Sequence, residues 1–345
     1  MISKIILEEC IQQVRKLLDK HDNIVIVCHV SPDGDAIGSS LGLYHFLEEI
    51  GKRVTVIVPD SLPKNLLFLK GVKDILIYTR YPEYAQELIE QAELIFCLDF
   101  NALSRLGDLE EPIGKASAKK VMVDHHLYPE PFCDVTISHP QVSSTCELVF
   151  RLICRMGMFE YLTLKSANAI YVGMMTDTGN FTYNSNKPEM YFIVGELIKK
   201  GINKDDLYAK VCNTNSLDKL RLNGFAIHEK LTVFEPHHTA MITLTKDELK
   251  KFHYQKGDSE GLVNVPLSIP GIVFSAFFRE EDDFIKVSLR SKGEFPANKV
   301  AEEWFNGGGH LNAAGGEFYG TMDEIITRFV KLLPQYDTYL NSETN

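Results

Sequence analysis

His29-Val30-Ser31-Pro32-Asp33-Gly34-Asp35 crowds one imidazole and two carboxylates onto a Pro-Asp-Gly turn, directly after the apolar run Ile24 to Cys28. Like charges about 4 Å apart repel by roughly 4 kcal/mol even at an effective dielectric near 20, so such a cluster is costly unless a cation sits in it. A plain turn with Asp35 capping the next helix accounts for only one of the three groups. Acidic residues recur further along. Asp99 closes the apolar run Leu94-Ile95-Phe96-Cys97-Leu98, and Asp124-His125-His126 closes Val121-Met122-Val123. Asp177 lies in Met174-Met175-Thr176-Asp177-Thr178-Gly179, at the end of an apolar helical stretch. Singly, each is a loop carboxylate. Together, His29, Asp33, Asp35, Asp99, His125 and Asp177 offer two imidazoles and four carboxylates. Oxygen-rich sites with imidazole and no thiolate suit Mn2+ or Mg2+, and histidine tilts the choice towards Mn2+. Six ligands exceed the needs of one ion. Two ions sharing a carboxylate, roughly 3.5–4 Å apart, are the apparatus of phosphoryl hydrolysis.

These residues need a frame that gathers them, and the first half of the chain predicts one. Ile24–His29, Val54–Val58, Ile75–Tyr78, Leu94–Phe100 and Lys120–His125 read as buried strands. Helical stretches such as Ala36–Ile50 and Tyr84–Gln91 separate them. Continuous apolar strands alternating with helices predict an α/β fold with a parallel sheet covered on both faces. Ligand sites in such sheets gather beyond the carboxyl ends of the strands, where His29, Asp99 and Asp124 fall. Helices are expected at Ser143–Met156, Leu164–Met175 and Glu189–Lys200, the last with Gly201 as its C-terminal stop.

Beyond about Phe225 the pattern changes to a smaller α/β unit. His238–Leu244 reads as a strand, followed by a helix starting near Thr245. Ile272–Arg279 and Phe284–Arg290 read as a hairpin around the acidic turn Glu280–Asp283. A short helix near Asn298–Phe305 leads into the glycine-rich segment Gly307-Gly308-Gly309-His310. The expected division is a metal-binding domain over 1–201, a polar connector over 202–224 and a substrate domain over 225–345, with the active site in the cleft between the domains.

Composition narrows the partners. Of 345 residues, 36 are basic and 47 acidic, a net charge of −11. That disfavours long duplex nucleic acid, which needs a positive stripe, but not small anionic substrates when cations invert the local field. The seven cysteines stand singly, without a CxxC pair, and no apolar run approaches a membrane span. The expectation is a cytoplasmic protein without a membrane partner.

In order and context, His29…Asp33-Gly34-Asp35, Asp99, Asp124-His125-His126 and Asp177 resemble the four motifs of the DHH phosphoesterases. Ser288-Leu289-Arg290-Ser291, Gly307-Gly308-Gly309-His310 and Ala313-Ala314-Gly315 resemble the DHH-associated C-terminal domain; Asn306 stands where another glycine is expected. The two-domain arrangement is similar to the bacterial nanoRNase type, which implies hydrolysis of short single-stranded oligoribonucleotides and of 3′-phosphoadenosine 5′-phosphate by a two-metal-activated hydroxide. The resemblance implies one Mn2+ on His29, Asp33 and Asp99 and a second on Asp35, Asp99, His125 and Asp177, with Mg2+ as the alternative metal. It implies catalytic roles for Asp124, His125 and His126: Asp124 orienting a ligating histidine, His126 touching the scissile phosphate.

Consecutive glycines let backbone N–H groups converge on an anion, so Gly308, Gly309, His310, Arg290 and Ser291 are candidate substrate contacts, with Arg105 a further one. A mobile glycine loop is the plain alternative. Rival functions are a single-strand-specific exonuclease or a cyclic-dinucleotide phosphodiesterase of the same family, and, outside enzymes, a nucleotide sensor. Oligomeric state is left open, a homodimer included.

Overall fold

Alternate residues of the N-terminal apolar runs bury on opposite faces of one sheet, which is why these runs lack polar alternation. The computed structural model describes residues 4–342. Six strands, β1 (Asn23–Val27), β2 (Arg53–Val58), β3 (Leu76–Ile77), β4 (Leu94–Leu98), β5 (Lys119–Asp124) and β6 (Val135–Ser138), pair in the order β3-β2-β1-β4-β5-β6. Every neighbouring pair is parallel. Val25, Val27, Ile95 and Cys97 face one core, shared with helices α3 (Pro82–Gln91) and α4 (Glu110–Lys115). Ile24, Ile26, Phe96, Leu98, Val121 and Val123 face the other. That second core is closed by α1 (Glu8–Lys20), α2 (Gly34–Glu49), α5 (Thr145–Arg155), α6 (Leu164–Asp177), α7 (Pro188–Lys199) and α8 (Lys204–Cys212).

The strand order reverses between β1 and β4. The chain runs outward from β1 through β2 to β3, then returns to lay β4 against the other side of β1. Loops leaving two such strands diverge and leave a crevice at their carboxyl ends. His29 follows β1 and Asp99 follows β4, so the reversal point carries both.

Strands stop earlier than the apolar runs do. β1 ends at Val27, β4 at Leu98 and β5 at Asp124, not at His29, Phe100 and His125. The reason is local: Asp99 (φ 64°) and Ser31 (φ 51°) adopt left-handed conformations that end the ladder and turn the side chains into the crevice. β6, a four-residue edge strand, is too short to stand out in the sequence.

Residues Met1–Thr214 form the first unit and Asn215–Asn345 the second. Within 202–224, Leu207 and Val211 of α8 bury in the first unit, while Leu222 of α9 (Leu217–Glu229) buries in the second. The second unit holds β7 (Leu231–Phe234), β8 (Thr239–Leu244), β9 (Phe274–Glu280), β10 (Ile285–Ser291), β11 (Gly308–His310) and β12 (Ala313–Phe318) in the order β11-β12-β10-β9-β8-β7. Only β8 and β9 pair in parallel. Helices α9 and α10 (Lys246–Lys251) cover one face, α11 (Ala297–Trp304) and α12 (Met322–Leu332) the other. Thr245 caps α10 through a reciprocal box with Glu248, so the helix starts near Thr245 as expected. Gly308–His310 is not a loop: it is an edge strand antiparallel to β12. Among the described residues no helix is long and apolar enough to cross a membrane.

Candidate metal centre

His29 is held as a ligand would need to be. Its Nδ1 donates to the Val30 carbonyl at 2.7 Å, which fixes the ring and leaves Nε2 facing the carboxylates. Nε2 faces Asp99 Oδ2 at 3.5 Å and Asp33 Oδ1 at 3.9 Å. The turn behind it is tied down from two sides. Val30 N–H donates to the Arg105 carbonyl at 2.9 Å, and the strained Ser31 donates its N–H to Asp60 Oδ1 at 2.7 Å. The helix cap is Asp33, not Asp35: Asp33 Oδ1 accepts from the N–H groups of Asp35 (3.0 Å) and Ala36 (3.1 Å). Asp35 is thereby left to point elsewhere.

It points at the start of α5. Asp35 Oδ2 accepts the Thr145 N–H at 2.6 Å and Oδ1 the Cys146 N–H at 2.9 Å. A helix N-terminus is where a buried carboxylate is best tolerated. Asp99 Oδ1 accepts the Thr145 hydroxyl at 2.9 Å. Both carboxylates are almost fully buried, at 1% and 2% exposure, so their charges interact through little water.

The Asp-His-His sequence splits into a holder and two faces. Asp124, at the end of β5, is fully buried; its Oδ2 accepts the His126 N–H at 3.0 Å and its Oδ1 the His126 Nδ1–H at 2.7 Å. The histidine that Asp124 orients is therefore His126, the one expected to face the phosphate. His125 turns its Nε2 to Asp99 Oδ1 (3.6 Å), Asp177 Oδ2 (3.7 Å) and Asp35 Oδ2 (3.9 Å).

Asp177 arrives from α6 by a device the motif reading missed. Helices α2 and α6 approach so closely that a Cβ on Gly38 would lie 2.6 Å from the Ala169 carbonyl, and one on Gly42 would lie 2.6 Å from Ile170 Cγ1. Gly34 faces Thr176, Gly38 faces Ala169 and Gly173, and Gly42 faces Ile170, so the helices run antiparallel. The first turn of α2, with Asp35, thus meets the last turn of α6, with Asp177. The signal was present: glycines at 34, 38 and 42 repeat every four residues along one helix face.

The electrostatics call for positive charge. Burial raises Asp99, but the His29 hydrogen bond and the charges of His125, His29 and His126 hold it at about 2. Burial and the neighbouring Asp99, Asp177 and Asp33 push Asp35 well above the usual carboxylate range. Burial pushes Asp177 up to about 6, against the pull of His125. Burial also opposes protonation of His126, yet the Asp124 hydrogen bond and charge leave its pKa raised.

Ligand atoms from His29, Asp33 and Asp99 lie within 4.8 Å of one another, as do those from Asp35, His125 and Asp177. A third group, Asp99, His125 and His126, overlaps both. Two triads of nitrogen and carboxylate donors that repel one another fit hard divalent cations. Cys28 and Cys97, beside the ligands in sequence, are fully buried core residues.

The remaining candidates divide by availability. Arg105 is half-buried beside the site, where its charge lowers His126. Arg290, on β10, donates Nη1 to the Leu289 carbonyl at 2.9 Å; among the described residues no carboxylate pairs with it. Ser291 is committed elsewhere: its hydroxyl donates to the Phe295 carbonyl at 2.8 Å and accepts from Asn312 Nδ2 at 2.9 Å. The glycine run has a packing reason. A Cβ on Gly307 would meet the Gly315 carbonyl at 2.0 Å and one on Gly309 the Ala313 carbonyl at 2.5 Å, whereas Gly308 meets nothing closer than Glu302 at 3.9 Å. His310 is exposed on the same edge strand. Asn306 has φ 45°, a conformation glycine favours and asparagine tolerates, which explains the departure from the expected glycine.

Comparison with known proteins agrees with this frame. The DHH family N-terminal domain matches residues 23–174 and the DHHA1 domain residues 240–336. A bifunctional oligoribonuclease and PAP phosphatase of Bacillus subtilis is 31% identical over 93% of this chain and 98% of its own. A cyclic-di-AMP phosphodiesterase of Geobacillus thermodenitrificans is 26% identical over 88% of this chain but only 46% of its own. The crystal structure of an exopolyphosphatase-related protein from Bacteroides fragilis is 55% identical, with a TM-score of 0.97 over 99% of this chain and 100% of that one. With near-complete coverage of a 31% identical relative and both domains matched in order, the chain belongs to the DHH family of metal-dependent phosphoesterases.

Proposed function

We propose that this protein hydrolyses short single-stranded oligoribonucleotides, down to dinucleotides, and 3′-phosphoadenosine 5′-phosphate, using two divalent cations, with Mn2+ preferred over Mg2+. The observation that carries the reading is Asp99: Oδ2 faces His29 and Oδ1 faces His125, so one carboxylate serves two ligand groups. His29, Asp33 and Asp99 would hold one cation, and Asp35, Asp99, His125 and Asp177 the other. Such a pair supplies an acidified water and positive charge against the phosphoryl oxygens.

The chain's own residues do the rest. His126, its pKa raised by Asp124, presents a donor to a phosphate oxygen; Arg105 adds a positive group on that side. Arg290, lacking a carboxylate partner among the described residues, offers a planar fork to a terminal phosphate, with Gly308, Gly309 and His310 of β11 one strand further along the sheet, across β12. Ser291 orders the loop around Asn312 rather than offering a free hydroxyl. Short substrates are favoured because a net charge of −11 leaves no basic track for a long strand. The free thiols suit a reducing compartment such as the cytoplasm.

The test is Mn2+-dependent release of mononucleotides from labelled RNA of two, five and twenty-four residues, with 3′-phosphoadenosine 5′-phosphate and cyclic di-AMP alongside. Fast turnover of the dimer and pentamer with little attack on the longest strand supports the reading. Preference for the longest strand moves the protein to the exonuclease branch, and preference for the cyclic dinucleotide to that of the cyclic-di-AMP phosphodiesterase. Binding without turnover of any of them leaves a sensor.

A further inference from the structure

Thr145 touches both halves of the candidate centre. Its backbone N–H donates to Asp35 Oδ2 at 2.6 Å and its hydroxyl to Asp99 Oδ1 at 2.9 Å. One helix start therefore grips two carboxylates that belong to different ligand groups. We infer that Thr145 is a positioning residue: through it, the N-terminus of α5 fixes how Asp35 and Asp99 are spaced and oriented, and hence whether two cations can bind side by side. The inference rests on the two-cation reading above.

Chemistry at Asp99 explains why a hydroxyl is needed. Asp99 would serve both ligand groups in the arrangement seen here, with one oxygen towards each. Asp99 Oδ2 lies 3.5 Å from His29 Nε2, and Oδ1 lies 3.6 Å from His125 Nε2. A hydrogen bond to Oδ1 opposes rotation about the Cβ–Cγ bond, so neither oxygen drifts to the other group. At Asp35 the grip is different. Both oxygens are held by backbone N–H groups, of Thr145 and of Cys146 at 2.9 Å, and these survive any change of side chain at 145.

The helix start is itself registered. Ser144 Oγ accepts the Glu147 N–H at 3.1 Å, capping α5. Glu147 reaches back to the Ser143 N–H (3.1 Å) and hydroxyl (2.7 Å), and accepts Arg151 Nε at 2.8 Å. Glu147 and Arg151 are 2% and 4% exposed. Buried ion pairs add little net stability and are better understood as fixing one arrangement. Here the arrangement fixed is the turn that presents Thr145. A merely structural threonine, satisfying its hydroxyl on the nearest acceptor, would influence melting but not the pairing of metal ions.

The experiment titrates the metal-free full chain with Mn2+ and follows the spin-coupled two-ion signal by electron paramagnetic resonance. Turnover of a dinucleotide and metal-free thermal melting are recorded beside it. Thr145→Val and Thr145→Ala keep the backbone contact to Asp35 and remove only the hydroxyl. Both are expected to bind a first Mn2+ normally and to weaken the second by about ten- to a hundredfold, the range seen when groups that orient metal ligands are removed. kcat should fall in parallel with KM little changed, and Thr145→Ser should restore both readouts. A native two-ion signal in Thr145→Val or Thr145→Ala overturns the inference. So does Thr145→Ser as defective as Thr145→Ala, or a lowered melting midpoint with native metal pairing. A native chain that never shows a two-ion signal overturns instead the two-cation reading beneath it.

Discussion

Asp99 sits in a left-handed conformation, almost fully buried, with His29 at one oxygen and His125 and Thr145 at the other. A shared cation ligand would account for His29 and His125 around it, and the two kinds of histidine can be told apart by substitution. His125→Ala removes a candidate ligand and should lower both Mn2+ stoichiometry, read by isothermal titration, and turnover by more than about a hundredfold. Asp124→Asn leaves all six candidate ligands in place but loosens His126, so metal binding should persist while kcat falls about ten- to a hundredfold. Equal metal loss in both variants would contradict the assignment of Asp124 to His126. Protonation gives a further prediction. The carboxyl of Asp177, at about 6 when folded against 3.8 unperturbed, binds more protons folded than unfolded. Its contribution to metal-free stability is therefore fully present below about 4 and lost as pH rises through 6, at most about 3 kcal/mol. Metal-free melting midpoints should rise on acidification from pH 7 to 5. Excess Mn2+ should reverse that trend, because the cation takes the proton's place and is expelled by it.

At the scale of elements, the centre depends on a helix pair that contributes a single candidate ligand from each member near their contact. Gly38→Ala would set a methyl 2.6 Å from the Ala169 carbonyl, and backbone cannot yield as a side-chain tip can. Overpacking of this kind costs typically about 1–3 kcal/mol. The expected result is a lowered melting midpoint together with weaker Mn2+ binding, since separating α2 from α6 carries Asp177 away from Asp35; Gly195→Ala, where a Cβ meets nothing within 4 Å, is the control. The same contact marks where the sequence was legible. His29, Asp99 and Asp124 could be placed because parallel strands end in a common crevice, so ligand position follows from strand position alone. Asp177 ends a helix, and no local pattern says which strand end a helix terminus approaches; the glycine stripe of α2 marks a close contact but does not name α6 as its partner. The two histidines of Asp124-His125-His126 were separable only once Asp124 was seen to bond its second neighbour. β11 was hidden for a different reason. Gly308 and Gly309 carry no strand propensity; backbone proximity to β12, not side-chain packing, makes that segment a strand.

For the whole molecule, charge decides what can be held. A net charge of −11 means that a polyanion meets net repulsion from the molecule as a whole, offset locally at any bound cations and at basic groups without a carboxylate partner among the described residues. Arg290 is one of these, half-buried in the second unit with only carbonyl oxygens as partners. Burial lowers its pKa without neutralising it, and a phosphate would be its natural counter-ion. Arg290→Ala should raise KM for a dinucleotide about tenfold or more while leaving Mn2+ titrations of the first unit's ligands unchanged. Arg290→Lys should recover little, because a point charge cannot reproduce a two-toothed grip. The number of such contacts can be counted by salt. Single-stranded nucleic acid loses affinity with a slope of about −0.7 per phosphate neutralised. Two or three contacts predict a slope of about −1.5 to −2 for log(1/KM) of the pentamer against log salt, at fixed free Mn2+. A basic track engaging six to ten phosphates predicts about −4 to −7. The shallow slope, unchanged between dimer and pentamer, follows if recognition ends at the scissile and terminal phosphates. A steep slope that grows with strand length would put a long-strand groove on this acidic molecule and defeat the short-substrate reading at its physical root.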